Sequence, residues 1–201
     1  MAQSLQEWMG ASRIVALVFT DVVDSTTLGN VLGDERWIEV LRKHFSSARF
    51  NMIWHDCYEV KIIGDSFMVA FRDVVNALDF ALYFHENTGD DQVMIRAGIH
   101  VGPVRIIDND MYGLMVNYTK RVESTDNPHW IMISDEVKKQ IHNEKAERHS
   151  DLEFQPRSVL FKGFSEPQTI WRVSYPNMGP LIREKIRAIR RVKASLAPKK
   201  S

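Results

Sequence analysis

Two aspartates stand where two predicted strands end. The apolar segment Ile14–Phe19 runs into Thr20 and Asp21, and the segment Tyr58–Ile63 runs into Gly64 and Asp65. Segments of about six mainly apolar residues predict strands whose side chains fill a core. Either aspartate alone would usually be a helix cap or a turn residue. As a pair on adjacent strands, they provide the oxygen ligands that Mg²⁺ or Mn²⁺ bound to a triphosphate requires.

A second group of polar residues could contact phosphate. Asn117 and Arg121 are four residues apart in the predicted helix Leu114–Ser124, so they lie on one face of it. The planar guanidinium of arginine suits phosphate in both charge and geometry. Lys162 follows the predicted strand Leu152–Phe161. A lone arginine or lysine at such positions is usually only solvated. A phosphate-binding role is therefore indicated only by the motifs in which these residues lie.

These motifs resemble those of a known family. The segments from Phe19 to Thr26 and from Lys61 to Asp65 resemble the two metal-site motifs of the class III nucleotidyl cyclases, and the segment from Asn117 to Arg121 matches the family's Asn-x-x-x-Arg motif. The resemblance covers the chain from Arg13 to Tyr175.

The resemblance implies a reaction and a role for each residue. In this family a nucleoside triphosphate is cyclised to a 3′,5′-cyclic nucleotide and pyrophosphate with two Mg²⁺ or Mn²⁺ per site. It implies that Asp21, Asp65 and the backbone carbonyl of Val22 bind the metals. Asn117 would orient the ribose, Arg121 would stabilise the pentavalent phosphate, and Lys162 would contact the β- and γ-phosphates.

The choice of base is implied by two further positions. Adenylate cyclases use a lysine and an aspartate or threonine against adenine, whereas guanylate cyclases carry glutamate and cysteine. Here Lys61 and Asp110 occupy these positions, which favours ATP.

An alternative substrate class stays open. Short cyclases also resemble the pyrimidine cyclases of bacterial antiphage (Pycsar) systems, which make cyclic UMP or CMP. The chain lacks the usual glycines before the second motif, where Tyr58 is bulky, and in the turn 126–129. ATP is expected, with UTP or CTP as the alternative.

The assignments require two copies of the chain. Lys61 and Asp65 are four residues apart across a turn, yet one is assigned to the base and the other to the metals. In the family, each site lies between subunits, and this chain has a residue for every role. We therefore expect a symmetric homodimer with two sites. The weaker alternatives are an inactive nucleotide-binding module and another two-metal enzyme, whose Gly-Gly-Asp/Glu-Glu-Phe signature is lacking.

Composition sets bounds on the remaining possibilities. The net charge is zero, which gives no reason to expect a nucleic acid partner. The single cysteine, Cys57, excludes an intrachain disulfide and is typical of a reducing, cytoplasmic environment. The basic, amphipathic segment Leu181–Leu196 could contact a membrane surface, but we favour docking of its isoleucine stripe on the domain or on a second subunit.

The pattern of elements predicts an α+β fold. We expect a ferredoxin-like βαββαβ core, as in the cyclase family, with a mainly antiparallel sheet flanked by helices. The predicted organisation is a loose N-terminal arm at 1–12 with a short helix around Leu5–Met9, a catalytic domain at 13–176 and a basic helical tail at 177–201. Ser25 is expected in a cap and turn after the first strand, and the segments Val93–His100 and Val101–Ile107 are expected as two strands joined near Gly102 and Pro103.

Overall fold

The computed structural model describes residues 3–125, 129–144 and 149–196. The strands are β1 (Ile14–Val22), β2 (Cys57–Ile63), β3 (Ser66–Phe71), β4 (Ile95–Pro103), β5 (Arg105–Ile107), β6 (Asp110–Tyr112), β7 (Ile131–Ser134), β8 (Glu153–Val159) and β9 (Gln168–Ser174). The helices are α1 (Leu5–Met9), α2 (Ser25–Leu32), α3 (Asp34–Met52), α4 (Val74–Glu86), α5 (Leu114–Glu123), α6 (Asp135–Glu144) and α7 (Met178–Leu196).

The sheet has the predicted core topology. Seven strands lie in the order β2-β3-β1-β4-β7-β9-β8, and all neighbours are antiparallel except β4 and β7. The elements from β1 to β4 follow the order βαββαβ, with α2 and α3 as the first crossover and α4 as the second. The predicted α+β fold is therefore confirmed.

Helices cover both faces of the sheet, which explains the continuous apolar run of β1. Alternate side chains of a strand point to opposite faces. Ala16 and Val18 pack in the core beneath α3 and α4, whereas Leu17 and Phe19 pack in a second cluster with α1 and α5. A strand buried on both sides has no polar face, so its sequence shows no alternation.

Two terminal segments pack on this body. In the N-terminal segment the expected short helix around Leu5–Met9 is present as α1, but the segment is not a loose arm, because Leu5, Trp8 and Met9 are buried. The isoleucine stripe of α7 packs on the main core, as we favoured above, and Ile189 is buried there. The helix begins three residues earlier than expected because Pro180 is tolerated in a first turn, where its missing N–H has no helical partner.

The structure corrects two expected element boundaries. Ser25 begins the helix α2 rather than a turn. The two strands expected around Gly102 are present, but the break between them lies at Val104 rather than near Gly102: β4 continues to Pro103 and β5 begins at Arg105. On β4 only Ala97 to Ile99 pair with β7. Pro103 lies beyond this paired section, so its missing N–H costs no hydrogen bond to β7. A further short strand, β6, begins at Asp110.

Candidate active site

The first aspartate lies near the end of β1, on the face that α5 covers. Asp21 has the same parity along the strand as Phe19, which packs in the cluster containing α5. The side chain of Val22 is buried in the core on the opposite face. Only the backbone of Val22 is therefore available to a metal bound beside Asp21.

The second aspartate is brought to the first by the hairpin of β2 and β3. Gly64 has φ of 64°, the left-handed conformation that a tight turn needs and glycine adopts without steric cost. Asp65 follows it, and the next residue, Ser66, donates a hydrogen bond of 2.5 Å from Oγ to Asp21 Oδ1. The negative charge of Asp21 raises the pKa of Asp65 in addition to a larger contribution from burial. The structure thus brings the two predicted metal ligands together.

The two carboxylates are held differently. Burial raises the pKa of Asp21, but hydrogen bonds from Ser66 and Arg96 outweigh that effect and leave the pKa below its usual value. At Asp65, burial dominates and the pKa is raised, although a hydrogen bond from Ser25 opposes it. Asp65 Oδ2 is buried and accepts no hydrogen bond from the described residues. A buried oxygen without a donor is costly unless a ligand satisfies it.

These residues fit a divalent cation that is shared with a substrate. No group of three or more His, Cys, Asp or Glu side chains that could hold a metal occurs among residues 3–125, 129–144 and 149–196. Two carboxylates and a carbonyl are too few for an all-protein cage. Mg²⁺, however, usually keeps waters and is bound through one or two carboxylates together with substrate phosphates. The donor set therefore fits Mg²⁺ or Mn²⁺ on a triphosphate.

Sequence reasoning missed three charged residues around Asp21. Arg96 lies opposite Asp21 in the β1–β4 register, and its Nη2 and Nε lie 2.5 and 3.0 Å from Asp21 Oδ2. Glu123, buried on α5, forms ion pairs with Arg96 at 2.6 Å and with Lys120 at 2.8 Å. A lone arginine within an apolar strand is the signal that could have identified Arg96.

The two residues assigned to the base are also brought together. Asp108 and Asn109 have φ of 51° and 60°, as a tight hairpin turn between β5 and β6 requires. Asp110 follows this turn, and its Oδ2 lies 2.5 Å from Lys61 Nζ on β2. Asp110 Oδ1 accepts a hydrogen bond from the backbone N–H of Met111. This pair keeps further N–H groups and lone pairs for a ligand.

The phosphate-binding candidates lie along α5 and the turn after β8. Asn117 is exposed, and the Arg121 guanidinium lies 5.5 Å from the centre of the Phe164 ring. Gly163 approaches Arg121 Nη2 in the same turn as the exposed Lys162. In the described part of the chain the side chains of Asn117, Arg121 and Lys162 make no ion pair or hydrogen bond, and the backbone carbonyl of Arg121 accepts hydrogen bonds from the Ser124 and Thr125 hydroxyls.

Apart from the Lys61–Asp110 pair, the predicted metal and phosphate residues form two groups. The aspartates lie with Ser66 and Arg96 at the end of β1, whereas Arg121 lies beside Phe164 on the other side of α5. Within the described ranges, no hydrogen bond or ion pair joins Arg121 to Asp21 or Asp65. The structure brings together the members of each group, and it does not join the two groups within one chain.

Two other features bear on the sequence-based expectations. Tyr58 packs against Trp8 of α1, with ring centres 5.8 Å apart, and its hydroxyl accepts a hydrogen bond from Asn109. Its bulk is therefore explained by packing. The turn 126–129 lies outside the described residues except for His129. Among the helices that the structure describes, none has both the length and the apolar character needed to cross a membrane.

Sequence comparison identifies relatives across most of the chain. The family model described as "Adenylate and Guanylate cyclase catalytic domain" matches residues 9–171. Putative adenylate cyclase 3 of Rhizobium meliloti is 26% identical over 175 residues, which cover 79% of this chain and 28% of that protein. Receptor-type adenylate cyclase GRESAG 4.2 of Trypanosoma brucei brucei is 26% identical over 80% of this chain and 36% of that protein. The chain spans about a third of these curated relatives.

Solved structures show the same fold. A Trypanosoma brucei adenylate cyclase in its monomeric state matches with a TM-score of 0.70 and 22% identity, covering 83% of this chain and 91% of the other. The adenylyl cyclase CyaB of P. aeruginosa matches with a TM-score of 0.67 and 22% identity, covering 80% and 93%. Because the family match extends over most of the chain, this protein belongs to the adenylate and guanylate cyclase catalytic domain family, the class III nucleotidyl cyclases.

Proposed function

We propose that this protein converts a nucleoside triphosphate, with ATP preferred, to its 3′,5′-cyclic nucleotide and pyrophosphate at sites shared between two copies of the chain. The observation that carries the proposal is the division of the site residues. A pair of carboxylates and an unpaired Asn117–Arg121 face are both present, yet they form separate groups in one chain. A second copy can supply the group that each half lacks.

The residues of the chain have distinct tasks in this reaction. Arg121 binds the α-phosphate and stabilises the charge that develops there as the 3′-hydroxyl attacks. Asn117 orients the ribose, and Lys162 contacts the β- and γ-phosphates. Asp21, Asp65 and the Val22 carbonyl would hold Mg²⁺ or Mn²⁺, which when bound makes the hydroxyl more acidic and neutralises the departing pyrophosphate.

An exposed apolar surface supports a second copy. Leu114 at the start of α5 is 89% exposed, and Ile107 and Tyr112 of the neighbouring hairpin are also exposed. They border a groove of about 1030 Å³ that is lined by β5, the first turn of α5 and Phe164. Such apolar surface beside the phosphate-binding residues is typical of an interface.

The preference for ATP rests on the pair Lys61 and Asp110. Lys61 can donate to N1 of adenine, and Asp110 can accept from its 6-amino group. Guanine would present a carbonyl to Asp110, which would leave an acceptor unpaired at a cost of about 1–3 kcal/mol. Discrimination against UTP and CTP is weaker because water can bridge a smaller base to these groups.

Mixing of two inactive variants tests the shared sites. Asp65→Ala and Arg121→Ala should each lower activity by about a hundredfold or more. If sites are shared, a mixed dimer has one intact site, and the mixture recovers activity well above either parent. Mixing Asp65→Ala with Asp21→Ala is the matched control and should recover nothing, because both lesions lie in the same half. Equal activity in the two mixtures would contradict shared sites.

A panel of substrates tests the base. The purified protein with Mn²⁺ is incubated with ATP, GTP, UTP or CTP, and any cyclic product is identified by mass. We expect cyclic AMP as the main product. Cyclic UMP or CMP as the main product would refute the ATP assignment and favour the pyrimidine alternative.

A further inference from the structure

The Arg96 guanidinium binds lone pairs of Asp21 that a metal at this carboxylate would need. Arg96 contacts Asp21 Oδ2 through both Nη2 and Nε, and Ser66 holds Asp21 Oδ1. Both oxygens of this carboxylate are therefore engaged by protein donors. A divalent cation at the same carboxylate would compete with these donors, and its charge would repel Arg96.

A second carboxylate, Glu123, already contacts Arg96 through the same Nε that contacts Asp21. Glu123 Oε1 lies 2.6 Å from Arg96 Nε, and the Glu123 side chain has no exposed surface. Lys120 forms the other ion pair of this carboxylate. A buried carboxylate that lost both cations would be strongly destabilised, so Glu123 favours keeping Arg96 and Lys120 as its partners.

The backbone fixes this arrangement closely. Gly98, two residues after Arg96 on β4, lies so close to Glu123 that an added Cβ would be 2.3 Å from the Glu123 backbone nitrogen. The helix therefore rests directly on the strand that carries Arg96. Because Arg96 contacts both carboxylates, a change of its side-chain conformation can release Asp21 while it stays with Glu123, without movement of either element.

We propose that Arg96 is an exchangeable counter-ion of Asp21, and that Glu123 is the positioning residue that takes Arg96 over when a divalent cation binds. This inference rests on the metal site of the proposed function. In this inference Glu123 touches neither the metal nor the substrate. Its role is to keep Arg96 and Lys120 from competing with the cation for Asp21.

The test is Mn²⁺ binding without nucleotide, in which waters take the ligand positions of the substrate phosphates, followed by the electron paramagnetic resonance signal of free Mn²⁺. Arg96→Met removes the competing cation, so the affinity for Mn²⁺ should increase by about fivefold or more. Glu123→Gln leaves Asp21 as the carboxylate partner of Arg96, so the affinity should fall by a similar factor. The double variant should bind like Arg96→Met, because Glu123 acts through Arg96.

Controls separate this inference from the proposed function. Asp21→Asn should abolish the Mn²⁺ binding, and if it does not, the metal site itself is misplaced. If Asp21→Asn abolishes binding but Arg96→Met binds Mn²⁺ no more tightly than the wild type, the exchange is refuted while the metal site stands. Absence of Mn²⁺ binding in both wild type and Arg96→Met also refutes it. Should Glu123→Gln fail to fold, as circular dichroism would show, the comparison of Arg96→Met with the wild type decides alone.

Discussion

The contact between β4 and α5 offers a sharp test of how the fold positions the site. An alanine Cβ at Gly98 would lie 2.3 Å from the nitrogen, 2.4 Å from Cα and 2.5 Å from Cβ of Glu123. These are mainly backbone atoms of a helix, which cannot move aside as a flexible side chain does. Gly98→Ala must therefore displace α5 by about 1 Å to restore van der Waals separation.

The displacement has two measurable consequences. Overpacking of this kind costs about 1–3 kcal/mol of stability, which chemical denaturation would show. Asn117 and Arg121 lie on the displaced helix, and a misplacement of about 1 Å can lower the rate about a hundredfold. We expect kcat for the cyclic product to fall by that order in protein that is still folded.

Gly102→Ala is the matched control on the same strand. There the added Cβ would meet Met115 Cγ at 3.2 Å, and a methionine side chain can shift to accommodate it. We expect near wild-type stability and activity. The reasoning would be refuted if Gly98→Ala were as stable and active as Gly102→Ala.

Two further predictions concern the dependence of stability on pH. Contact with His100 lowers the pKa of Glu136 to about 2, so this contribution is present above pH 4.5 and is lost as the pH falls towards 2. In denaturation experiments the free energy of unfolding of the wild type should exceed that of Glu136→Gln by less and less as the pH falls across that interval. A difference in this free energy that stays constant would contradict the role of Glu136. Burial lowers the pKa of Lys185 on α7 to about 8, although its Nζ donates to Thr88 and to the Val93 carbonyl. The folded-state pKa is thus below the unfolded value, so the penalty is complete below pH 8 and is relieved as the pH rises towards 10.5. Over that range the melting temperature of the wild type should rise relative to that of Lys185→Met, measured by thermal unfolding at several pH values. A difference in melting temperature that does not change with pH would contradict this.

The predictions of secondary structure were wrong where tertiary contacts override the local conformational preference of the sequence. The segment after Asp24 contains threonine and glycine, which are poor helix formers, and therefore looked like a turn. In the structure Leu28 is buried in the core and Trp37 packs over Gly29, so α2 forms there. Asp24 precedes it with φ of 55°, a conformation that spacing alone does not predict.

The sequence alone determined the fold class, the family and the positions of Asp21 and Asp65. It could do so because strand length, apolar pattern and the residue that follows a strand are local properties of the chain. Tertiary structure decided which charges meet: Arg96 and Glu123 are 27 positions apart and appear unremarkable in the sequence, yet the β1–β4 register and the contact of α5 with Gly98 bring them to Asp21. Electrostatic partnership depends on separation in space, and for these residues that separation is set by strand register and helix packing rather than by spacing along the chain.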